Sequence, residues 1–207
     1  MPYIKRPGRS ITLGLATLCA LFAAAILPGI ATASCASTPV SKAFSRFGDY
    51  NDYSLVGNGG FESGTTGWSL SDSWVVSGNE SYKVHSSTDS RSLFLKAGTG
   101  TASSPWFCVG EAHPTFRFFG RRTNNTWGVL YADVRYKDAS GVIQSLNAGA
   151  LYGDTYTSWQ PSRAMALSIM LPVDLVSQTL PVQLVFRTEP EGGDWTIDDV
   201  YIDPYSR

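Results

Sequence analysis

The residues best suited to chemistry fall in two short segments. Leu55-Val-Gly-Asn-Gly-Gly-Phe-Glu62 is followed by Gly67-Trp68, and a later run reads Trp195-Thr-Ile-Asp-Asp-Val-Tyr-Ile202. Asp198 and Asp199 stand side by side among strand-forming apolar residues. Successive strand residues point to opposite faces, so one of the two aspartates must share a face with its apolar neighbours. If Val200 and Ile202 face the core, Asp198 does too; if Ile197 and Tyr201 do, Asp199 is the inward one. A buried bare carboxylate is costly and is normally paired, protonated or metal-bound. Two readings are open on this pattern. One is calcium, which takes several oxygens from carboxylates and backbone carbonyls, and Asn58-Gly-Gly-Phe-Glu62 offers both. The other is that Asp198 and Asp199 accept turn hydrogen bonds or pair with an arginine.

The elements that must position these groups read as strands. After residue 34, Gly, Ser, Thr and aromatic residues are frequent, and short apolar runs recur between turn clusters. That spacing predicts an all-β sandwich or barrel. Strands are expected at Tyr53–Val56, Trp68–Leu70, Trp74–Ser77, Ser92–Lys96, Ala102–Val109 and Thr115–Arg121. Further strands are expected at Gly128–Lys137, Val142–Ala150, Ala164–Leu171, Val182–Thr188 and Thr196–Ile202. The run Ala164–Leu171 is ambiguous, because period cannot tell so short an apolar stretch from a helical turn. Lys137-Asp-Ala-Ser-Gly141 reads as a hairpin, with Gly141 free to take positive φ.

The first 33 residues read as an address rather than as fold. Lys5, Arg6 and Arg9 precede an apolar run from Ile11 to Ile30, broken by Pro28-Gly29, and Ala31-Thr-Ala33 has the small-x-small form of a signal-peptide cleavage site. The expected organisation is a signal peptide over 1–33, an irregular lead-in over 34–52 and one β domain over 53–207. Cleavage implies a secreted protein without a membrane segment; retention would make the run an N-terminal membrane anchor. Basic and acidic residues number 16 and 17, and removing the signal takes away basic residues only. A mildly acidic chain lacks the basic footprint of a nucleic-acid binder. Cys35 and Cys108 would remain after cleavage, and an even pair in an exported chain reads as a disulfide.

An Asn-Gly-x-Phe-Glu opening followed by Gly-Trp and closed by Ile-Asp-Asp-Val resembles the galactose-binding-like β-jelly roll of many carbohydrate-binding modules, over roughly Leu55 to Asp203. The resemblance implies a two-sheet antiparallel sandwich following the N-terminal signal helix. It also implies a structural Ca2+ held by Glu62 and Asp198, with backbone carbonyls around Gly60 and with Asp199 adjoining. The Gly59-Gly60 pair and the long lead-in holding Cys35 depart from the family pattern. The chain is also similar to exported actinobacterial proteins of unassigned function, through Ser104-Pro-x-Phe-Cys-Val109 and Pro114-Thr-Phe-Arg-Phe-Phe119.

Sugar-binding surfaces set flat aromatic rings against apolar pyranose faces and read hydroxyls with polar side chains. Trp127 and Trp159, flanked by Asn, Thr, Gln and Ser, are the candidates for an exposed platform; Trp68 and Trp195 read as packing. Strand parity also gathers Arg117, Arg121, Tyr131, Asp133, Arg135, Gln183 and Arg187 on a polar face, suited to a glycan or simply solvated. Enzyme signals are thin. His85 and His113 are the only histidines, neither with a metal-motif partner, and a nucleophile elbow or phosphate loop is absent from the sequence. A carboxylate pair flanking a cleft cannot be deduced. The sequence therefore points to a monomeric, exported, non-catalytic module binding a glycan or cell-surface polymer. Its alternatives are an adhesion or structural domain on the same fold, or a small polysaccharide lyase or hydrolase.

Overall fold

A computed structural model describes residues 2, 39–110, 113–168, 171–172 and 180–203. The expected signal peptide, its cleavage site and Cys35 lie outside the described residues. The chain divides into two units, Met1–Ala31 and Thr32–Arg207, and the strands among the described residues all lie in the second.

The strands are β1 (Val40–Ser41), β2 (Tyr53–Leu55), β3 (Ser69–Ser71), β4 (Ser73–Ser77), β5 (Arg91–Leu95), β6 (Thr101–Ser103) and β7 (Phe107–Val109). They continue with β8 (Thr115–Arg122), β9 (Val129–Lys137), β10 (Ile143–Tyr152), β11 (Gln160–Pro161), β12 (Met165–Ala166), β13 (Leu180–Thr188) and β14 (Trp195–Ile202). They form two antiparallel sheets. In the first, β14 is central, with β8 along one side and β5 and β2 sharing the other; β4, β1, β11 and β12 complete it. The second runs β10-β9-β13-β6-β3, with β7 also on β13. This is the expected all-β, two-sheet antiparallel jelly-roll sandwich.

The departures have local causes. The stretch Ala102–Val109 is not one strand: Ser104-Pro105 interrupts it, proline having no N–H to give the ladder. Ser104 nevertheless stays tied to β13, donating its N–H to Leu184 O and accepting from Leu184 N–H through Oγ. The Ala164–Leu171 run contributes only the short β12, with part of the remainder outside the described residues. The lead-in is more regular than expected, holding β1 and a 3₁₀ turn at Ser45–Phe47.

Alternation on β9 and β13 sends Leu130, Ala132, Val134, Val182, Leu184 and Phe186 into the core between the sheets. They meet Leu93, Leu95, Phe116, Phe118, Trp195 and Ile197 from the first sheet. A second, smaller core covers the outer face of that first sheet. Phe44 from the lead-in packs there with Tyr53, Phe119, Trp159 and Tyr201, flanked by Phe47, Tyr82 and Val84. Its rings are interlocked, Phe44 stacking on Phe119 at 5.5 Å and meeting Tyr53 edge-on at 4.7 Å. Arg117 seals it: its guanidinium lies 4.2 Å from the Phe44 ring centre and 2.7 Å from Asp49 Oδ2, while Nε donates to Ser162 O.

Neither simple phase of β14 holds throughout. Trp195 and Ile197 face the main core, then so do Val200 and Ile202, whereas Tyr201 faces the second core. A bulge between Asp198 and Tyr201, in the pairing with β8, shifts the phase by one residue. Asp199 takes φ of +48° at this bulge. All eight β14 side chains are consequently buried, the two aspartates included.

The lead-in plug carries a prediction. Phe44 is fully buried, so Phe44→Ala should cost about 3–5 kcal/mol, measured by urea unfolding; a loss below about 1 kcal/mol would show that the plug is dispensable.

Candidate functional site

Two places bring together side chains capable of chemistry. The first lies at the β14 bulge. Asp198 and Asp199 are both fully buried, alongside Glu80 (1% exposed) and Asp89 (5%). Three of these carboxylates meet hydrogen bonds. Asp198 Oδ2 accepts from Asn79 Nδ2 (2.8 Å) and Glu80 N–H (2.9 Å), and its Oδ1 accepts from Asp199 N–H (2.9 Å). Glu80 accepts the N–H groups of Tyr82 and Val84. Asp89 Oδ2 lies 2.7 Å from His85 Nδ1. Asp199 is different: neither of its oxygens has a hydrogen-bond partner. The His85 backbone N–H faces it closely enough to stabilise its charge, but without hydrogen-bond geometry. Burial pushes both aspartates well above the ordinary carboxylate range, helped for Asp198 by the Asp199 charge and for Asp199 by that of Glu80.

The double glycine has its reason here. A β-carbon at Gly59 would lie 2.7 Å from Val200 O, and one at Gly60 would lie 2.9 Å from Asp199 Oδ1. The opening loop must come this close because Val200 N–H donates to Gly59 O, and Val56 N–H donates to Val200 O. The expected calcium donors, however, divide. Glu62 directs its carboxylate to the N–H groups of Ser90 (2.8 Å) and Arg91 (2.7 Å), and Asp198 is engaged as described. Only Asp199, beside Gly60, keeps unsatisfied oxygens, so the set Glu62, Asp198, Gly60 and Asp199 does not fit a calcium ion as a group. Sequence reading missed Glu80, His85 and Asp89. An available signal was the four-residue spacing of His85 and Asp89, which the loop closes into a contact.

The second place is the outer face of the second sheet. Register sets Asn147, Asp133 and Val185 in one row across β10, β9 and β13, with Tyr131 and Arg187 paired in the next and Arg135 and Gln183 in another. Arg187 Nε donates to Asp133 Oδ2 (2.7 Å), Asn147 Nδ2 donates to Asp133 Oδ1 (2.8 Å), and the Arg187 guanidinium lies 4.3 Å from the Tyr131 ring centre. Val185 is only 4% exposed although it stands outside the main core, at the floor of this face. Among the described residues no carboxylate pairs with Arg135, which leaves the face with a positive charge beyond the Asp133–Arg187 pair.

Several expected site residues fall elsewhere. Arg117 and Arg121 belong to β8 of the first sheet, so parity was right for each strand but could not tell which sheet a strand joins. Arg117 secures the lead-in, and the Arg121 guanidinium lies 4.9 Å from the Trp159 ring centre. Trp159 is 5% exposed and part of the second core, so it offers no exposed platform. Trp127 is 52% exposed on the loop between β8 and β9. Trp68 and Trp195 are buried packing residues. Cys108 is half-buried on β7 and engaged; its expected partner Cys35 lies outside the described residues.

No protein-family model and no curated protein matches this sequence. Solved structures do resemble the fold. The CBM22-1 and GH10 modules of a Clostridium thermocellum endo-1,4-β-D-xylanase, complexed with xylohexaose, align at TM-score 0.52 and 14% identity, over 72% of this chain and 28% of that one. The CBM22-2 xylan-binding domain of Paenibacillus barcinonensis aligns at 0.48 and 14%, over 70% and 97%. A family 61 module in complex with β-1,4-galactotriose aligns at 0.41 and 18%, over 72% and 96%. The alignment thus spans well under half of the first of these proteins. Each of these structures contains a carbohydrate-binding module, and the likeness to the first is one of fold.

The bulge yields a prediction. Asp198→Ala strips acceptors from the Glu80 and Asp199 N–H groups and from Asn79, and should cost about 1–3 kcal/mol or more in chemical denaturation. Asp198→Asn, which keeps one acceptor oxygen, should cost less; equal losses would contradict the acceptor role.

Proposed function

We propose that the protein is an exported, non-catalytic glycan-binding module whose ligand lies on the outer face of the second sheet. One observation carries this reading: the first sheet's outer face is filled by the lead-in and its aromatic core, whereas the second sheet's outer face holds a preorganised row of Tyr131, Asp133, Arg187 and Asn147. A ring beside a fixed carboxylate, guanidinium and amide is the combination that apolar sugar faces and hydroxyl groups require. Because the row is already hydrogen-bonded, little ordering cost remains to be met on binding. The positive charge of Arg135 suits uronate-bearing polymers. The likeness to a structure of CBM22-1 and GH10 modules complexed with xylohexaose makes xylans the first ligands to try. Catalysis has weaker support, since the tightest carboxylate cluster is buried at the bulge.

Binding should appear as retarded migration in affinity gels containing glucuronoxylan, unsubstituted xylan or galactan. Tyr131→Ala and Arg187→Ala should each abolish retardation by at least one of these, while Trp159→Ala lowers stability through the second core. Retardation untouched by both substitutions would remove the ligand from this face. Failure to bind across a broad glycan array would favour the adhesion reading.

Export accords with the signal-like first 33 residues, and with it we propose a Cys35–Cys108 disulfide joining the start of the domain to β7. Closing that loop should stabilise the fold by about 4 kcal/mol in the chain-entropy account. Reductant should therefore lower the melting temperature of the native exported protein; two thiols reactive toward label in that protein would exclude the bond.

A further inference from the structure

The orphaned Asp199 carboxylate is not alone. His85, Asp89 and Asp199 each present a ligand atom, and these atoms all lie within 4.8 Å of one another. We infer that they form a site for a zinc-class divalent cation, with imidazole nitrogen and carboxylate oxygens as donors, in place of the calcium that Glu62 and Asp198 would have held. The inference stands apart from glycan binding, and its test contains no sugar.

Four carboxylates (Glu80, Asp89, Asp198 and Asp199) are buried here, each at most 5% exposed. The His85 imidazole lies 2.7 Å from Asp89, and the charge of Arg46 acts on Glu80. Asp198 and Glu80 already accept backbone N–H groups. Asp199 is fully buried, with both oxygens unpartnered and close to the other two donors. A buried acceptor without a donor is rare in folded proteins, and a cation would supply what Asp199 lacks. The bulge adds orientation: Asp198 Oδ1 holds the Asp199 N–H, fixing the turn from which the Asp199 side chain projects.

Donor chemistry selects the ion. Calcium prefers six to eight oxygens, roughly, in a flexible shell. Imidazole with two carboxylates suits zinc and its neighbours, whose bonds are about 2.0–2.2 Å long. Donors about 2.0–2.2 Å from a shared ion stand further apart than the 2.7 Å between His85 Nδ1 and Asp89 Oδ2, so the His85 side chain, 41% exposed, would turn to admit the ion. That exposure also provides an entry path, while Asp89 and Asp199 lie beneath it. Water would complete the coordination.

The test uses the full chain freed of metal by chelation and then dialysed against zinc chloride or calcium chloride, with bound metal counted by elemental analysis and thermal unfolding followed in parallel. The site predicts one zinc per chain and a raised melting temperature, with calcium giving neither at the same concentration. His85→Gln and Asp89→Asn should each weaken zinc binding by about tenfold or more, and Asp199→Asn should abolish it. His85→Gln keeps an amide that can donate to Asp89 Oδ2 in place of the imidazole, and a cooperative metal-free unfolding transition shows that the variant is folded before zinc is added. Zinc bound equally well by His85→Gln would overturn the site. So would stabilisation by calcium alone, which would restore the all-oxygen set, or binding of neither ion, which would make Asp199 a buried neutral acid.

Discussion

The structure depends on a single constraint: two adjacent carboxylates must be accommodated inside a strand that is buried along its whole length. β14 is flanked by β8 on one side and by β5 and β2 on the other, and both of its faces are covered. A regular strand would send Asp198 and Asp199 to opposite faces, one of them into the hydrophobic core. The bulge avoids this by placing two residues where one would do. Ile197 and Val200 can then face the same core, and the aspartates turn toward the loop spanning Asn79 to Asp89. The cost falls on Asp199, whose positive φ is uncommon for a residue with a β-carbon.

The rest of the first sheet follows from that choice. The opening loop docks on the bulge through Gly59 and Val200, so the Asn-Gly-Gly-Phe-Glu segment and the Ile-Asp-Asp-Val segment are two halves of one junction. Glu62 serves the junction indirectly, by holding the backbone of Ser90 and Arg91 where β5 begins. Tyr201, turned outward by the phase shift, becomes a seat for Phe44 at 5.7 Å between ring centres. The lead-in therefore closes the outer face of the first sheet, and the second sheet is left with the open polar face.

Much of this was legible in the sequence, and the gaps have physical causes. The expected strand Gly128–Lys137 is β9, and parity placed its Tyr131, Asp133 and Arg135 together on a polar face, because a strand with one wet face has to alternate. The junction motifs identified the fold. Their side-chain roles were less accessible, since a one-residue bulge inverts every parity argument after it and leaves no mark on composition. Trp159 was misread because polar neighbours in sequence say nothing about a lead-in folding back from residues 43 to 47. Arg117 and Tyr131 share a parity pattern yet lie on different sheets, a distinction that only long-range pairing decides. His85 and Asp89 come together through a loop whose path is set by Glu80 and Glu62 accepting its backbone N–H groups.

The central functional claim is that ligand meets the outer face of the second sheet. It is tested most directly by amide chemical-shift mapping, in which xylo- and galacto-oligosaccharides, including uronate-bearing ones, are titrated into isotopically labelled protein. Perturbations centred on Tyr131, Asp133, Asn147, Val185 and Arg187 across β9, β10 and β13 are expected. Perturbations confined to the loop of Trp127 or to the first sheet, with those strands unmoved, would contradict it.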